Sequence, residues 1–226
     1  MSLKIGDSVK VLAGVKEPDN EYFEMGDWQG RITEIDTVSN KENNTLITLE
    51  WDSLTLKLLP ADYIIQSEIE GLGWEQMNLY ETDVEKTVSR DNKHDVKKMQ
   101  DLLSDKYYWY SFGEEGIRIS NVMEGVNAKD GGKCFDRWFD YLKKGLSFPV
   151  KAIVSENAED IGPVRNGEQV IIKSLSKIVD MYGILVDVKL NRSKYVFPLC
   201  DLEVLDKKSK DYQLMNDYNI WFSNRN

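Results

Sequence analysis

Short runs of alternating apolar and polar residues at both ends of the chain, with helical periodicity between them, constrain this fold most. Residues 30–36 read Gly-Arg-Ile-Thr-Glu-Ile-Asp, and residues 45–51 alternate in the same way after a polar turn at 39–44. A period of two marks a strand with one buried face. Residues 8–12, after the turn Ile5-Gly6-Asp7, and Gln76–Tyr80 add two more strands. Between them, Pro60 opens and Gly71 closes an expected helix over 61–71, and a closing turn follows at 81–85. After a polar linker at 88–94, residues 95–107 place Val96, Met99, Leu102 and Leu103 on one helical face. Residues 114–124 form a second helix or turn, and 128–132 a break. Residues 135–146 put Phe135, Trp138, Phe139 and Leu142 at i, i+3, i+4 and i+7. Strands return at Val150–Val154, 169–174, 183–188, 194–197 and 202–205, with a turn at 161–167. The tail, 211–222, has a helix-like pattern of Tyr212, Met215, Tyr218, Ile220, Trp221 and Phe222.

These elements predict an α+β chain of two small SH3-like β-barrel units joined by a helical segment. The expected divisions are a unit over 1–88, a helical linker over 89–132 and a second unit over 133–226. An internal repeat fits this plan. Gly6-Asp7-Ser8-Val9-Lys10-Val11 resembles Gly167-Glu168-Gln169-Val170-Ile171-Ile172, and Gly30-Arg31-Ile32 resembles Gly183-Ile184-Leu185. Asp83-Val84-Glu85 likewise resembles Asp201-Leu202-Glu203. Glycine at a strand start permits a bend or a close backbone approach.

Charge separates the two ends. The chain carries 39 acids and 29 bases, a net of −10. Residues 1–88 hold 18 acids against 7 bases, a net of −11, and the remainder holds 21 against 22, a net of +1. An acidic balance argues against nucleic acid as the main partner and suits hard cations or a basic protein segment. No apolar run of about 18 residues is present, so no membrane span is expected. The start, Met1-Ser2-Leu3-Lys4-Ile5-Gly6-Asp7, lacks the apolar core of a signal peptide, and the expected location is cytoplasmic.

Catalysis is not expected. The single histidine, His94, falls in the polar linker, Cys134 has no histidine nearby in sequence, and Cys200, beside strand-like segments, reads as a buried, inert thiol. Oxygen-ligand metal binding is better supported, since Ca²⁺ takes six to eight oxygens from carboxylates, carbonyls and water. One candidate is the 17–27 loop, with five acids in eleven residues. Its Asp19, Glu21 and Glu24 are candidate ligands, although the EF-hand order is missing. The plain alternative is an exposed acidic loop. A second candidate gathers Glu156, Glu159, Asp160 and Glu168 with Asp180, Asp187, Asp201, Glu203 and Asp206 at later strand ends. Its plain alternative is an ion-paired surface.

Three segments carry a family resemblance. Leu146-Ser147-Phe148-Pro149-Val150-Lys151-Ala152, then Gly183-Ile184-Leu185-Val186-Asp187-Val188, then Tyr195-Val196-Phe197-Pro198-Leu199-Cys200-Asp201-Leu202-Glu203-Val204, resemble the small bacterial calcium-binding proteins of the CcbP type. Tyr212-Gln213-Leu214 and Tyr218-Asn219-Ile220-Trp221-Phe222 fit the same pattern. The resemblance spans 133–226. It implies a soluble, non-EF-hand protein that binds Ca²⁺ through surface carboxylates, in a buffering or regulatory role, with Asp187, Asp201 and Glu203 as candidate ligands. The N-terminal stretch, with Asp27-Trp28-Gln29-Gly30-Arg31 and Glu50-Trp51-Asp52-Ser53, resembles an SH3-like accessory module. The alternative function is recognition of a basic peptide or protein, with Tyr22, Phe23 and Trp28 beside the 17–27 acids.

Overall fold

A computed structural model describes residues 3–36, 45–156 and 164–225. The expected turn at 39–44 and the first part of the one at 161–167 lie outside the described residues. The chain divides into two compact units, Met1–Ser111 and Phe112–Asn226. Of the stretch expected as a helical linker, 89–111 falls to the first unit and 112–132 to the second.

In the first unit, β1 (Ser8–Val11), β2 (Gln29–Asp36), β3 (Leu46–Trp51), β4 (Gln76–Tyr80) and β5 (Val84–Lys86) form one antiparallel sheet in the order β4-β3-β2-β1-β5. The period-two pattern does its expected work. Ile47, Leu49 and Trp51 of β3 are buried and join Val9, Val11 and Ile32 in one core. Two helices connect β3 to β4. The first, α1 (Ser53–Leu58), has no apolar period to announce it; the Asp52 carboxylate caps it by accepting the Thr55 N–H at 2.7 Å. The second, α2 (Ala61–Glu70), starts after Pro60 and stops at Gly71, whose φ of 69° suits glycine.

The expected polar linker is tied down. Arg90 makes paired 2.8 Å hydrogen bonds to the Asp52 carboxylate, and Arg31 pairs with Asp91. Burial pushes the Asp91 carboxyl up, but its hydrogen bonds from Ser53 and the Arg31 guanidinium outweigh that and hold it below the usual range. Asn92 then caps α3 (Lys93–Tyr107), which packs against α1. Val96 and Leu103 are buried as expected, whereas Leu102 is 53% exposed. Six residues beyond Val96 lies about a third of a turn off its face, and seven lies nearly on it.

The second unit begins with α4 (Gly113–Val122) and α5 (Gly131–Gly145). Its sheet comprises β6 (Val150–Val154), β7 (Gln169–Val179), β8 (Gly183–Leu190), β9 (Ser193–Pro198) and β10 (Leu202–Val204), in the order β10-β6-β7-β8-β9. The closing helix is α6 (Lys210–Asn224). Phe135, Trp138 and Leu142 of α5 and Met215, Tyr218 and Trp221 of α6 are buried.

Both sheets therefore share one topology: the last strand, the first, the second, the third, the fourth. A 3-10 turn precedes the last strand in each, Glu81–Asp83 before β5 and Leu199–Asp201 before β10. The second strands, β2 and β7, both carry register shifts against their neighbours, and such bulges bend a sheet. The expected repeat is corrected in its first two segments. Topology equates β1 with β6 and β2 with β7, whereas Gly167-Glu168 leads β7 and Gly183 leads β8. A glycine with an acid marks the turn before many strands, so the match fell one strand out of step. The third segment, Asp83-Val84-Glu85 with Asp201-Leu202-Glu203, is topologically equivalent. Barrel closure is also corrected: among the described residues each sheet is open, with β4 and β5, or β9 and β10, as its two edges. β5 and β10 are three residues each and offer few groups for closing hydrogen bonds.

Gly183 has a φ of +67°, and a Cβ there would lie 2.4 Å from both the Tyr218 hydroxyl and the Phe222 ring. Gly183→Ala is expected to destabilise the second unit by about 2–4 kcal/mol, from overpacking and the left-handed backbone together. Urea unfolding of the full chain measures this. Among the described residues no helix is long and apolar enough to cross a membrane.

Candidate functional site

In the second unit, the end of β6 is fastened to the 3-10 turn that precedes β10. The Ser155 and Glu156 N–H groups both donate to the Asp201 carbonyl, at 2.9 and 3.3 Å. This brings the Glu156 and Asp201 carboxylates into electrostatic reach. Burial pushes the Asp201 carboxyl up, a hydrogen bond with Cys200 pulls it down, and the Glu156 charge pushes it up again; the net direction is upward. The Cys200 thiol lies 3.4 Å from Asp201 Oδ1. Burial and then the Asp201 charge push that thiol up to about 12, so it remains protonated and acts as neither nucleophile nor thiolate ligand near neutral pH. A half-buried acid with a second negative charge within electrostatic reach is an arrangement that a cation would relieve.

The other candidates are engaged elsewhere. Glu203, opposite Ile153 in the β6–β10 pair, makes a 2.7 Å ion pair with Lys207. Asp187 on β8 accepts the Ser174 hydroxyl at 2.8 Å. Asp180 is exposed in the turn between β7 and β8. Asp206 accepts the Lys208 N–H, and Glu168 accepts the Arg165 N–H. Glu159 and Asp160 lie outside the described residues. In the first unit, Glu24 accepts the Gly14 N–H at 3.1 Å, while Asp19 and Glu21 are exposed. Among the described residues, no three His, Cys, Asp or Glu side chains stand where they could jointly hold a metal ion. The structure thus brings the segments of Glu156 and Asp201 together through the backbone, while Glu24, Asp187 and Glu203 are engaged by other groups and Asp19, Glu21 and Asp180 are exposed.

The aromatics named for peptide recognition are mostly structural. Phe23 meets Tyr63 edge-on at 5.2 Å, and Trp28 meets Trp51 edge-on at 5.4 Å. Tyr22 is 97% exposed. Sequence reasoning passed over Glu17, which is buried and lines a pocket against α2. The available signal was local: Val15 and Glu17 share one face of a period-two segment whose Lys16 bridges to Glu24.

Residues 118–222 match the CcbP family, whose description is calcium binding. The resemblance read from 133–226 is therefore borne out for the second unit. Among solved structures, the crystal structure of Anabaena CcbP is similar at 18% identity, covering 47% of this chain and 89% of that one, with a TM-score of 0.39. A calcium-binding protein in its calcium-binding form is similar at 16% identity, covering 48% and 89%, with a TM-score of 0.38. No curated protein matches this chain.

Proposed function

We propose that the second unit binds Ca²⁺ without an EF-hand, in a buffering or regulatory role in the cytoplasm, with Glu156 and Asp201 as its first carboxylates. One observation carries the reading: the Ser155 and Glu156 N–H groups on the Asp201 carbonyl bring a half-buried acid and a second acid within electrostatic reach, in the segment that the family match covers. Carboxylates and backbone carbonyls are the ligands this cation takes. Asp187 and Glu203 would join only by exchanging Ser174 and Lys207 for the cation. The shared strand order and the 3-10 turn before each last strand support the SH3-like reading of both units, with the first as an accessory module.

The test is calorimetric titration of the full chain with Ca²⁺. Two protein carboxylates place the site at the weak end of the known range, about 10⁻⁴–10⁻³ M. Asp201→Asn and Glu156→Gln are each expected to weaken binding about tenfold or more, while Asp180→Asn leaves it unchanged. A flat titration to about 10 mM Ca²⁺ overturns the reading. The raised Asp201 pKa fixes the pH dependence. Protons compete with Ca²⁺ as pH falls through that raised value. Without Ca²⁺, the folded state binds this proton more tightly than the unfolded one. Stability from Asp201 is then present below the unfolded pKa and lost as pH rises through the folded one. Asp201→Asn should accordingly raise the melting temperature at pH 7 without Ca²⁺, and remove the rise that Ca²⁺ gives the parent protein.

A further inference from the structure

Strand β4 is an open edge of the first unit's sheet, and it lacks what guards the other edges. An edge strand offers unpaired N–H and C=O groups to any chain that can lie beside it; short length, lysine, proline or a bulge blunts that tendency. β5 and β10 have three residues each, and the Asn219 side chain donates to the outward Leu202 carbonyl of β10. β9 carries Lys194 and ends in Pro198. β4 reads Gln-Met-Asn-Leu-Tyr, with no charge and no proline. Its register with β3 runs unbroken from Leu46 opposite Tyr80 to Glu50 opposite Gln76. Among the described elements of the first unit, only β3 packs along it.

The open side of β4 has a definite set of free groups. The Trp51 N–H donates to the Glu75 carbonyl at 3.0 Å, and the Glu81 N–H to the Thr45 carbonyl at 2.9 Å. Hydrogen bonding alternates along an antiparallel pair, so Glu75, Met77, Leu79 and Glu81 turn their backbone groups to β3. Gln76, Asn78 and Tyr80 turn theirs outward. The Tyr80 N–H is taken by the Asp83 carboxylate at 3.2 Å. The N–H and C=O of Gln76 and Asn78, with the Tyr80 C=O, remain for a further strand. Charge selects that strand. Glu75 and Glu81 flank the uncharged residues, both partly exposed. Lys97, within electrostatic reach of Glu75, is already ion-paired with Asp101 at 2.9 Å. A second copy of the chain, antiparallel over the whole of β4, would set Glu75 of one copy against Glu81 of the other, like against like. The net charge of −11 over residues 1–88 adds to that repulsion and draws a basic segment instead.

We propose that β4 takes up an extended segment of a partner protein as a sixth strand, with a basic residue at each end of that segment. The free groups of Gln76, Asn78 and Tyr80 supply the backbone hydrogen bonds, and the basic ends meet Glu75 and Glu81. Between them, alternate side chains of the segment lie beside Met77 and Leu79 on one face of the sheet and beside Gln76, Asn78 and Tyr80 on the other.

The test titrates the isotope-labelled full chain with the capped peptide Lys-Thr-Val-Thr-Val-Thr-Lys, while backbone amides are followed by NMR. Saturable shifts are expected at residues 75–81, with slower hydrogen exchange at the Gln76 and Asn78 amides. Asn78→Pro should abolish binding, because it removes an outward N–H and leaves the backbone pairing with β3 in place. Gln76→Pro does the same at the first residue of the strand, and it decides the matter if the amide spectrum shows that Asn78→Pro fails to fold. Glu75→Gln combined with Glu81→Gln should weaken binding about fivefold, the scale of two exposed ion pairs. The same peptide with glutamate at both ends should bind more weakly still. Glu34→Gln, on β2, should change nothing. Absence of saturable shifts over 75–81 overturns the proposal. So does binding that survives Gln76→Pro, since the contact then lies elsewhere. A glutamate-ended peptide that binds equally well, or an equal loss in Glu34→Gln, overturns the charge selection. Gln76 and Asn78 amides already protected in a dimer of the chain alone would also overturn it, by giving the edge to a second copy.

Discussion

Arg118→Ala is expected to destabilise the second unit by about 3–5 kcal/mol, the usual cost of leaving a buried charge without its partner. Arg118 on α4 makes two hydrogen bonds to the Asp217 carboxylate on α6, Nε to Oδ2 at 2.7 Å and Nη2 to Oδ1 at 2.8 Å. Asp217 is 3% exposed. Burial pushes its carboxyl up, and the guanidinium draws it back part of the way, leaving the net direction upward. Removing Arg118 deletes the opposing influence and leaves the burial. Asp217 must then be protonated on folding or stay charged and unpaired. The folded state takes up a proton that the unfolded state lacks at neutral pH, so the variant should lose stability as pH rises through the raised Asp217 value and recover it as pH falls.

Urea unfolding at pH 5 and pH 7.5 measures both the loss and its sign, and a loss that is the same at both pH values would contradict this account. A second comparison separates the charge from the shape. Arg118→Met combined with Asp217→Leu should return most of the stability, because an apolar pair in the same space avoids both desolvation costs. If the double variant is as unstable as the single one, the geometry of the pair matters more than its charge.

This pair also shows where sequence reasoning stops. The strands were legible because a half-buried sheet imposes a period of two, and β2, β3, β4 and β6 lie close to their expected places. The helix α2 was legible from Pro60 and Gly71, and α5 from the spacing of Phe135, Trp138 and Leu142. Arg118 and Asp217 are 99 residues apart, and nothing local in either marks the other. Asp217 falls within an apolar helical pattern, where an acid reads as part of the solvated face. The candidate acids were read from their places in a loop and at strand ends, whereas the groups that engage them, the Ser174 hydroxyl for Asp187, Lys207 for Glu203 and the Gly14 N–H for Glu24, are fixed by the fold. The pair that the fold does bring together, Glu156 with Asp201, depends on Ser155 and Glu156 donating to the Asp201 carbonyl, a backbone contact that composition does not record. Glu17 was hidden by the same effect, counted among exposed acids while its segment turned it inward.

Tyr218→Ala is expected to cost about 3–5 kcal/mol and Tyr218→Phe about 1–3 kcal/mol, and the difference separates volume from hydrogen bonding. Tyr218 is fully buried, with its ring among Trp138 at 5.7 Å, Phe222 at 5.8 Å and Trp221 at 5.9 Å. Its hydroxyl accepts the Ile184 N–H at 2.8 Å, at the second residue of β8. Ile184 is itself fully buried, so no water can replace that acceptor. The phenylalanine variant keeps the ring contacts and leaves one buried N–H unpaired. The alanine variant also opens a cavity among three large aromatics. Gly183 is part of the same arrangement, because only a residue without a Cβ lets the Tyr218 hydroxyl approach so closely. Gly183→Ala should therefore cost less in the Tyr218→Ala background than alone, since one of the two groups it would strike, the Tyr218 hydroxyl, is gone, while the Phe222 ring and the left-handed backbone keep part of the cost. Hydrogen exchange gives the local readout: the Ile184 amide should exchange faster in Tyr218→Phe by more than the global loss of stability explains. An Ile184 amide that keeps its protection would show that this N–H finds another acceptor, and that the tyrosine is held for its ring alone.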